Sequence, residues 1–172
     1  MKKVLVLLLC LGLTGCASIQ QVRLGKYPSP PKLNPEGSAY IIVPAEGQYM
    51  GKDYRGSGLM TAQLLESSFS EHLQRVKTSV DVMRLEEGLE EVKKLNFMYL
   101  VYPKILHWED RATEWSGIRD KVNVKVDIFD GATEERLDSV TIKSKGTWFT
   151  FGGYHPQDIL KKAINKYVDS LF

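Results

Sequence analysis

From residue 38 onward the apolar residues follow two periods, two and three-to-four, in a recurring order. Residues 39–43 (AYIIV) form a β-branched run closed by Pro44, which predicts a first strand. A loop rich in glycine and tyrosine follows over residues 46–58. Leu59, Ala62, Leu65, Phe69, Leu73 and Val76 then recur at steps of three or four, so they line one face of a helix with Ser57 as its amino-terminal cap. Residues 79–84 (SVDVMR) alternate as a strand, and Leu85, Leu89, Val92 and Leu95 mark a short second helix in which Glu90 and Lys94 form an i,i+4 pair. Residues 97–105 (FMYLVYPKI) are the most apolar stretch of the domain and predict a central strand. Pro103 withholds a ladder donor, so the strand is expected to bulge or to lie at an edge there. Val122, Val124, Val126 and Ile128 alternate with polar neighbours up to a turn at Asp130-Gly131, and Leu137 with residues 139–143 returns as the paired strand. Pro156 takes the first position of a closing helix whose apolar face is Ile159, Leu160, Ala163, Ile164, Tyr167, Val168 and Leu171.

This order predicts an α/β (α+β) fold, one domain over residues 38–172 with a mixed sheet in the order β-α-β-α-β-β-β-α. Right-handed crossovers make the first three strands parallel, and the last three form an antiparallel meander. The segments over residues 47–57, 107–120 and 146–155 then emerge at one end of the sheet. That end lies outside the carboxyl ends of the parallel strands, where open α/β sheets bind ligands.

The first residues carry a different pattern. Lys2 and Lys3, an apolar run over residues 4–13 and the tetrapeptide Leu13-Thr14-Gly15-Cys16 form a bacterial secretion signal of the lipoprotein type over residues 1–15. The run is far short of the roughly 20 residues of a membrane-spanning helix. Cys16 is expected to become the first residue, its thiol taking a diacylglyceryl group, with acyl chains such as palmitate contributing about 0.8 kcal/mol per buried methylene. Ala17 follows where an aspartate would favour retention at the inner membrane, so the expected site is the outer membrane, with the domain facing the periplasm. Residues 16–37, polar and holding Pro28, Pro30, Pro31 and Pro35, read as an extended tether between lipid and domain.

Removing residues 1–15 changes the balance of charge. Lys2 and Lys3 leave with the signal, so 21 of the 23 basic residues remain against 21 acidic ones, and the net charge gives no support to nucleic-acid binding. Cys10 leaves as well and Cys16 is consumed by lipid, so no thiol remains for a disulfide, a nucleophile or a metal. The remaining 157 residues suffice for one sizeable core.

The residues that folding does not obviously require gather in the three loop-end segments. They are Tyr49, Tyr54, Arg55, Trp108, Glu109, Asp110, Arg111, Trp115, Trp148 and His155, with Glu114 beside them. Aromatic rings with an arginine and carboxylates make binding hot spots or sugar-stacking platforms. In a second reading the tryptophans cap the open end of the core and Arg111 pairs with nearby carboxylates as a clasp. The two readings are compatible, and both stay open at this point.

Candidate chemistry is sparse. His107, Glu109, Asp110 and His155 have no recognised metal-ligand spacing, so no metal and no cofactor are expected. Glu109 and Asp110 are adjacent and on a strand point to opposite faces. Gly56-Ser57-Gly58 lacks the lysine and hydroxyl of a phosphate loop and reads as a capped βα loop, and no serine sits in a Gly-x-Ser-x-Gly elbow. His155 is expected to cap the closing helix and His72 to be solvated. The expectation is that the chain is not an enzyme.

The segment HWEDRATEWSG (residues 107–117), Asp120, the alternating valine strand and TWFTFGGYHPQD (residues 147–158) together resemble a family of small bacterial lipoproteins carrying a domain of unknown function. The likeness covers the whole domain. It implies a lipid-anchored protein of the cell envelope and no particular activity. The order of elements is also similar to the amino-terminal domain of the Tol translocation protein, the curli secretion lipoprotein and the lipoprotein activators of penicillin-binding proteins, which is an analogy of fold. The long alternating hairpins of a membrane barrel are absent from the sequence. The functional expectation is a non-catalytic, outer-membrane-anchored accessory module for an envelope protein partner. The alternative is a glycan-binding module for peptidoglycan or exported polysaccharide.

Overall fold

Three parallel strands and an antiparallel meander share one sheet, in the order expected from the sequence. A computed structural model describes residues 18–23, 29–110, 120–145 and 156–172. Its elements are β1 (Ser18–Arg23), β2 (Ser38–Val43), β3 (Gly47–Tyr49), β4 (Lys52–Tyr54), α1 (Ser57–Ser70), β5 (Arg75–Val82), α2 (Leu85–Leu95), β6 (Tyr99–Glu109), β7 (Lys121–Asp130), β8 (Arg136–Lys145) and α3 (Pro156–Asp169). Among the described residues the main sheet runs β1-β8-β7-β6-β2-β5, and β3 pairs with β4 apart from it. β2 is parallel to both β5 and β6, whereas β6, β7, β8 and β1 are successively antiparallel.

The alternation of side chains divides the core in two. Ala39, Ile41 and Val43 of β2 join Val101 of β6, the valines of β7, and Val140 and Ile142 of β8 under α1 and α3. α1 contributes Ala62, Leu65 and Phe69 to that layer, and α3 contributes Leu160, Ile164, Tyr167 and Val168. Tyr40 and Ile42 point the other way, onto Leu89 and Val92 of α2 with Phe97, Leu100 and Phe129. β2 is thus buried on both faces, which is why its sequence is continuously apolar and not alternating. Each of these large side chains gains about 1.5–3 kcal/mol from leaving water.

Several boundaries differ from the sequence reading. Residues 18–23, expected within the tether, form β1 and pair with β8 from Ser18↔Lys145 to Arg23↔Val140. The proline-rich stretch is also docked, since Leu33 is buried and its N–H donates to the carbonyl of Leu171 at 2.8 Å. α1 stops at Ser70, and Val76 lies on β5, its helical spacing from Leu73 being coincidental. β6 runs on to Glu109, with a register shift between Ile105 and His107. Pro103 is tolerated because the ladder to β2 ends at Val101, so on that side its missing N–H has no partner to lose.

Candidate functional site

The loop end is built by the chain that leaves β2. A tight turn with φ of 48° at Met50 and 76° at Gly51 joins β3 to β4, and the hairpin lies along the end of β6. Gly47 lets it approach, because a Cβ there would stand 2.5 Å from the Cβ of Trp108. The Tyr49 ring meets His107 edge-on with centroids 5.0 Å apart, and the Tyr54 hydroxyl donates to the carbonyl of Asp110 at 3.4 Å. Sequence reasoning placed the segments over residues 47–57 and 107–120 at one end, and these contacts join them; residues 146–155 lie outside the described residues.

Beyond β4 the chain enters α1 through Gly56, whose φ of 87° is left-handed. Ser57 was expected as the cap; instead it lies within the helix, and its hydroxyl donates to Glu46 at 2.8 Å while accepting from the Gly47 N–H. Glu46 supplies the cap. Its carboxylate accepts the Gly56 and Gly58 N–H groups, each at 2.8 Å, so the helix amino terminus is satisfied by an anion from the chain itself. Burial pushes this carboxyl up, but the N–H groups of Gly58 and Gly56, together with the Ser57 hydroxyl and N–H, outweigh it and hold it below the usual glutamate range. The glycine-serine-glycine turn is therefore a closed cap with a resident carboxylate.

Burial separates the candidate residues. Trp108 is 3% exposed and belongs to the core under α1 and α3, which is the capping role among the two readings. Glu109 is 1% exposed and shares its sheet face with His107, whose Nε2 lies 3.1 Å away, and with Lys121, whose Nζ lies 3.5 Å away. A buried carboxylate needs such partners, since an unpaired charge there is costly. Arg55 and Asp110 instead line a cleft of about 230 Å³ with Lys52, Asp53, Tyr54 and Trp108. Arg111, Trp115, Trp148 and His155 lie outside the described residues. Cys16 also lies outside them. Among the described residues no group of three histidines, cysteines or carboxylates is placed to hold a metal. His72 is not simply solvated, for its ring stacks on Phe172 at 4.6 Å and its Nε2 lies 3.0 Å from Asp169.

A second concavity was missed by the sequence reading. β2 and β5 end together at the Val43–Val82 pair while β6 runs on, and past that end lies a groove of about 440 Å³ lined by Pro44, Val82, Met83, Tyr102 and Leu106. On β5, Ser79 accepts the Val43 N–H at 2.9 Å where the β2–β5 register shifts, and Val80 next to it is 89% exposed. The alternation in SVDV is the same for a half-buried strand and for this bulged edge, so the pattern carries no sign of the groove.

The fold and this cleft define a single-domain α/β protein whose candidate surface lies at the carboxyl end of its parallel strands. The chain belongs to the family described as domain of unknown function (DUF4823), whose model matches residues 31–171. Comparison with curated proteins found no match. Among solved structures it is similar to the PelC dodecamer from Paraburkholderia phytofirmans, with a TM-score of 0.68 at 13% identity, covering 91% of this chain and 98% of that one. It is also similar to the hypothetical protein CT253 from Chlamydia trachomatis, with a TM-score of 0.51 at 8% identity over 79% of this chain and 98% of that one. For the lipoprotein GNA1162 from Neisseria meningitidis the TM-score is 0.45 at 12% identity, over 79% and 98% of the two chains. At these identities the likeness to the first two is one of fold. No helix among the described residues is long and apolar enough to cross a membrane.

Proposed function

We propose that the chain is a non-catalytic lipoprotein of the cell envelope, anchored in the outer membrane by acyl chains on Cys16, whose domain faces the periplasm and docks a protein partner through the loop end of its sheet. The observation that carries the reading is the convergence of the β3–β4 hairpin with the end of β6, which gathers Tyr54, Arg55 and Asp110 around one cleft. Arginine and tyrosine at the rim of a cleft are the residue types that concentrate binding energy in protein interfaces. The fold shared with a protein that forms a dodecamer makes a second copy of this chain one partner to test for. Trp108 gives the glycan reading no support, because it is buried in the core and offers no ring face for a sugar to stack on, so that reading rests on Trp115 and Trp148.

The test is photocrosslinking in cells from a probe at Arg55, with mass spectrometry of the adduct. One protein adduct supports docking and identifies the partner. Adducts confined to peptidoglycan or polysaccharide fragments replace it with the glycan reading, and no adduct with either removes this end from consideration.

A further inference from the structure

The start of β1 lies in one register row with the end of β6. Ser18 pairs with Lys145, Lys145 with Lys121, and Lys121 with Glu109. Three strand spacings of roughly 4.8 Å put the whole row within about 14 Å. Ser18 is two residues after Cys16, and two residues of fully extended chain reach about 7 Å. The long tether expected from the sequence is therefore absent between the lipidated residue and the sheet, because residues 18–23 are part of the sheet.

We propose that the row Ser18–Lys145–Lys121 is held at the phosphate layer of the bilayer, so that the carboxyl end of the parallel strands faces the membrane. The inference rests on the reading of Cys16 as acylated. A polar headgroup layer is roughly 5–7 Å thick on each side of the hydrocarbon, about the length of the leash, so acyl chains on Cys16 leave this corner of the sheet no room to stand off. The exposed lysines at the end of β8, Lys143 and Lys145, supply cations for lipid phosphates, while Lys121 beside them is paired with Glu109. Asp110 and Asp120 lie at the same end and offset them, so the orientation follows from the leash and the lysines adjust it. The cleft of Tyr54 and Arg55 is at this end as well, and the partner it takes is one that reaches the membrane surface.

The test uses the full processed chain in vesicles of phosphatidylethanolamine and phosphatidylglycerol at 3:1, carrying doxyl-labelled lipid. Bimane is attached either at Lys145→Cys or at Ala132→Cys, the latter in the exposed turn between β7 and β8, roughly 30 Å away along the sheet. The expected result is quenching at position 145 at least fivefold stronger than at 132. That difference should shrink, without vanishing, when Lys143→Glu is added, a substitution that leaves the Lys121–Glu109 pair in place. Equal quenching at the two positions, with the protein still floating with the vesicles, overturns the orientation and leaves the anchor standing. Loss of flotation, with bimane labelling of the unsubstituted chain through a free Cys16, overturns the anchor and this inference with it.

Discussion

Glu46 and Gly58 are twelve residues apart in the chain, yet the carboxylate of one accepts the backbone N–H of the other at 2.8 Å. With the Gly56 N–H and the Ser57 hydroxyl on the same carboxylate, one side chain fastens the exit of β2 to the start of α1. The whole hairpin that carries Tyr49 and Tyr54 hangs between those two points.

Glu46→Ala is accordingly expected to cost about 1 kcal/mol, the usual worth of a helix cap, with Glu46→Gln costing less. The folded carboxyl is held below its unfolded range, so its contribution is full above the ordinary glutamate range and is lost as pH falls through the lowered value. Urea midpoints of the native chain and Glu46→Gln should therefore differ at pH 7 and converge as pH falls below the ordinary glutamate range. A gap that stays the same size down to the lowest pH at which both chains still fold would show that the carboxylate charge is not what the cap depends on.

Gly58→Ala tests the same junction sterically. A Cβ at residue 58 would lie 2.3 Å from the carbonyl oxygen of Pro44, a backbone atom that cannot swing aside. The expected loss is about 1–3 kcal/mol, the range for forcing extra volume into a packed site. Thermal melts in which the variant matches the native chain would mean that the β2 exit is freer than this geometry allows.

How far the fold was legible follows from which residues carried a period. β7 was readable from its alternating valines and α3 from its broad apolar face, because each buries one side and wets the other. β1 was hidden because SIQQVR is short, mostly polar and at a sheet edge, with Ile19 only partly buried against the core. The hairpin turn was hidden because a left-handed Met50 is not the residue a two-residue turn announces itself with. At the site, the grouping of Tyr54, Arg55, Trp108 and Asp110 followed from topology. The burial of Trp108 was one of two readings left open, and that of Glu109 was not foreseen, because the strand beneath them continues four residues beyond Ile105.

Tyr167→Phe probes the seat of α3. The Tyr167 hydroxyl, buried in the core, donates to the Asp138 carboxylate on β8 at 3.0 Å. Phenylalanine keeps the ring and removes the donor from a buried anion, a loss expected to lie near 1–3 kcal/mol. Urea denaturation reads it, and an unchanged midpoint would mean that the other interactions of Asp138 fully compensate.

Arg55 and Trp108 line the same cleft but differ in burial, and that difference separates function from architecture. Arg55 is exposed, so Arg55→Ala should change stability by less than about 0.5 kcal/mol, as surface substitutions do, while reducing partner capture in crosslinking. Trp108→Ala opens a cavity beneath the hairpin and should cost about 3–5 kcal/mol, a large share of a marginal total, so any loss of capture there is confounded with unfolding. The arginine variant is thus the decisive one. Normal capture by a fully stable Arg55→Ala chain would move the docking surface away from this cleft, and the groove bordered by Val82 and Leu106 would become the next surface to probe.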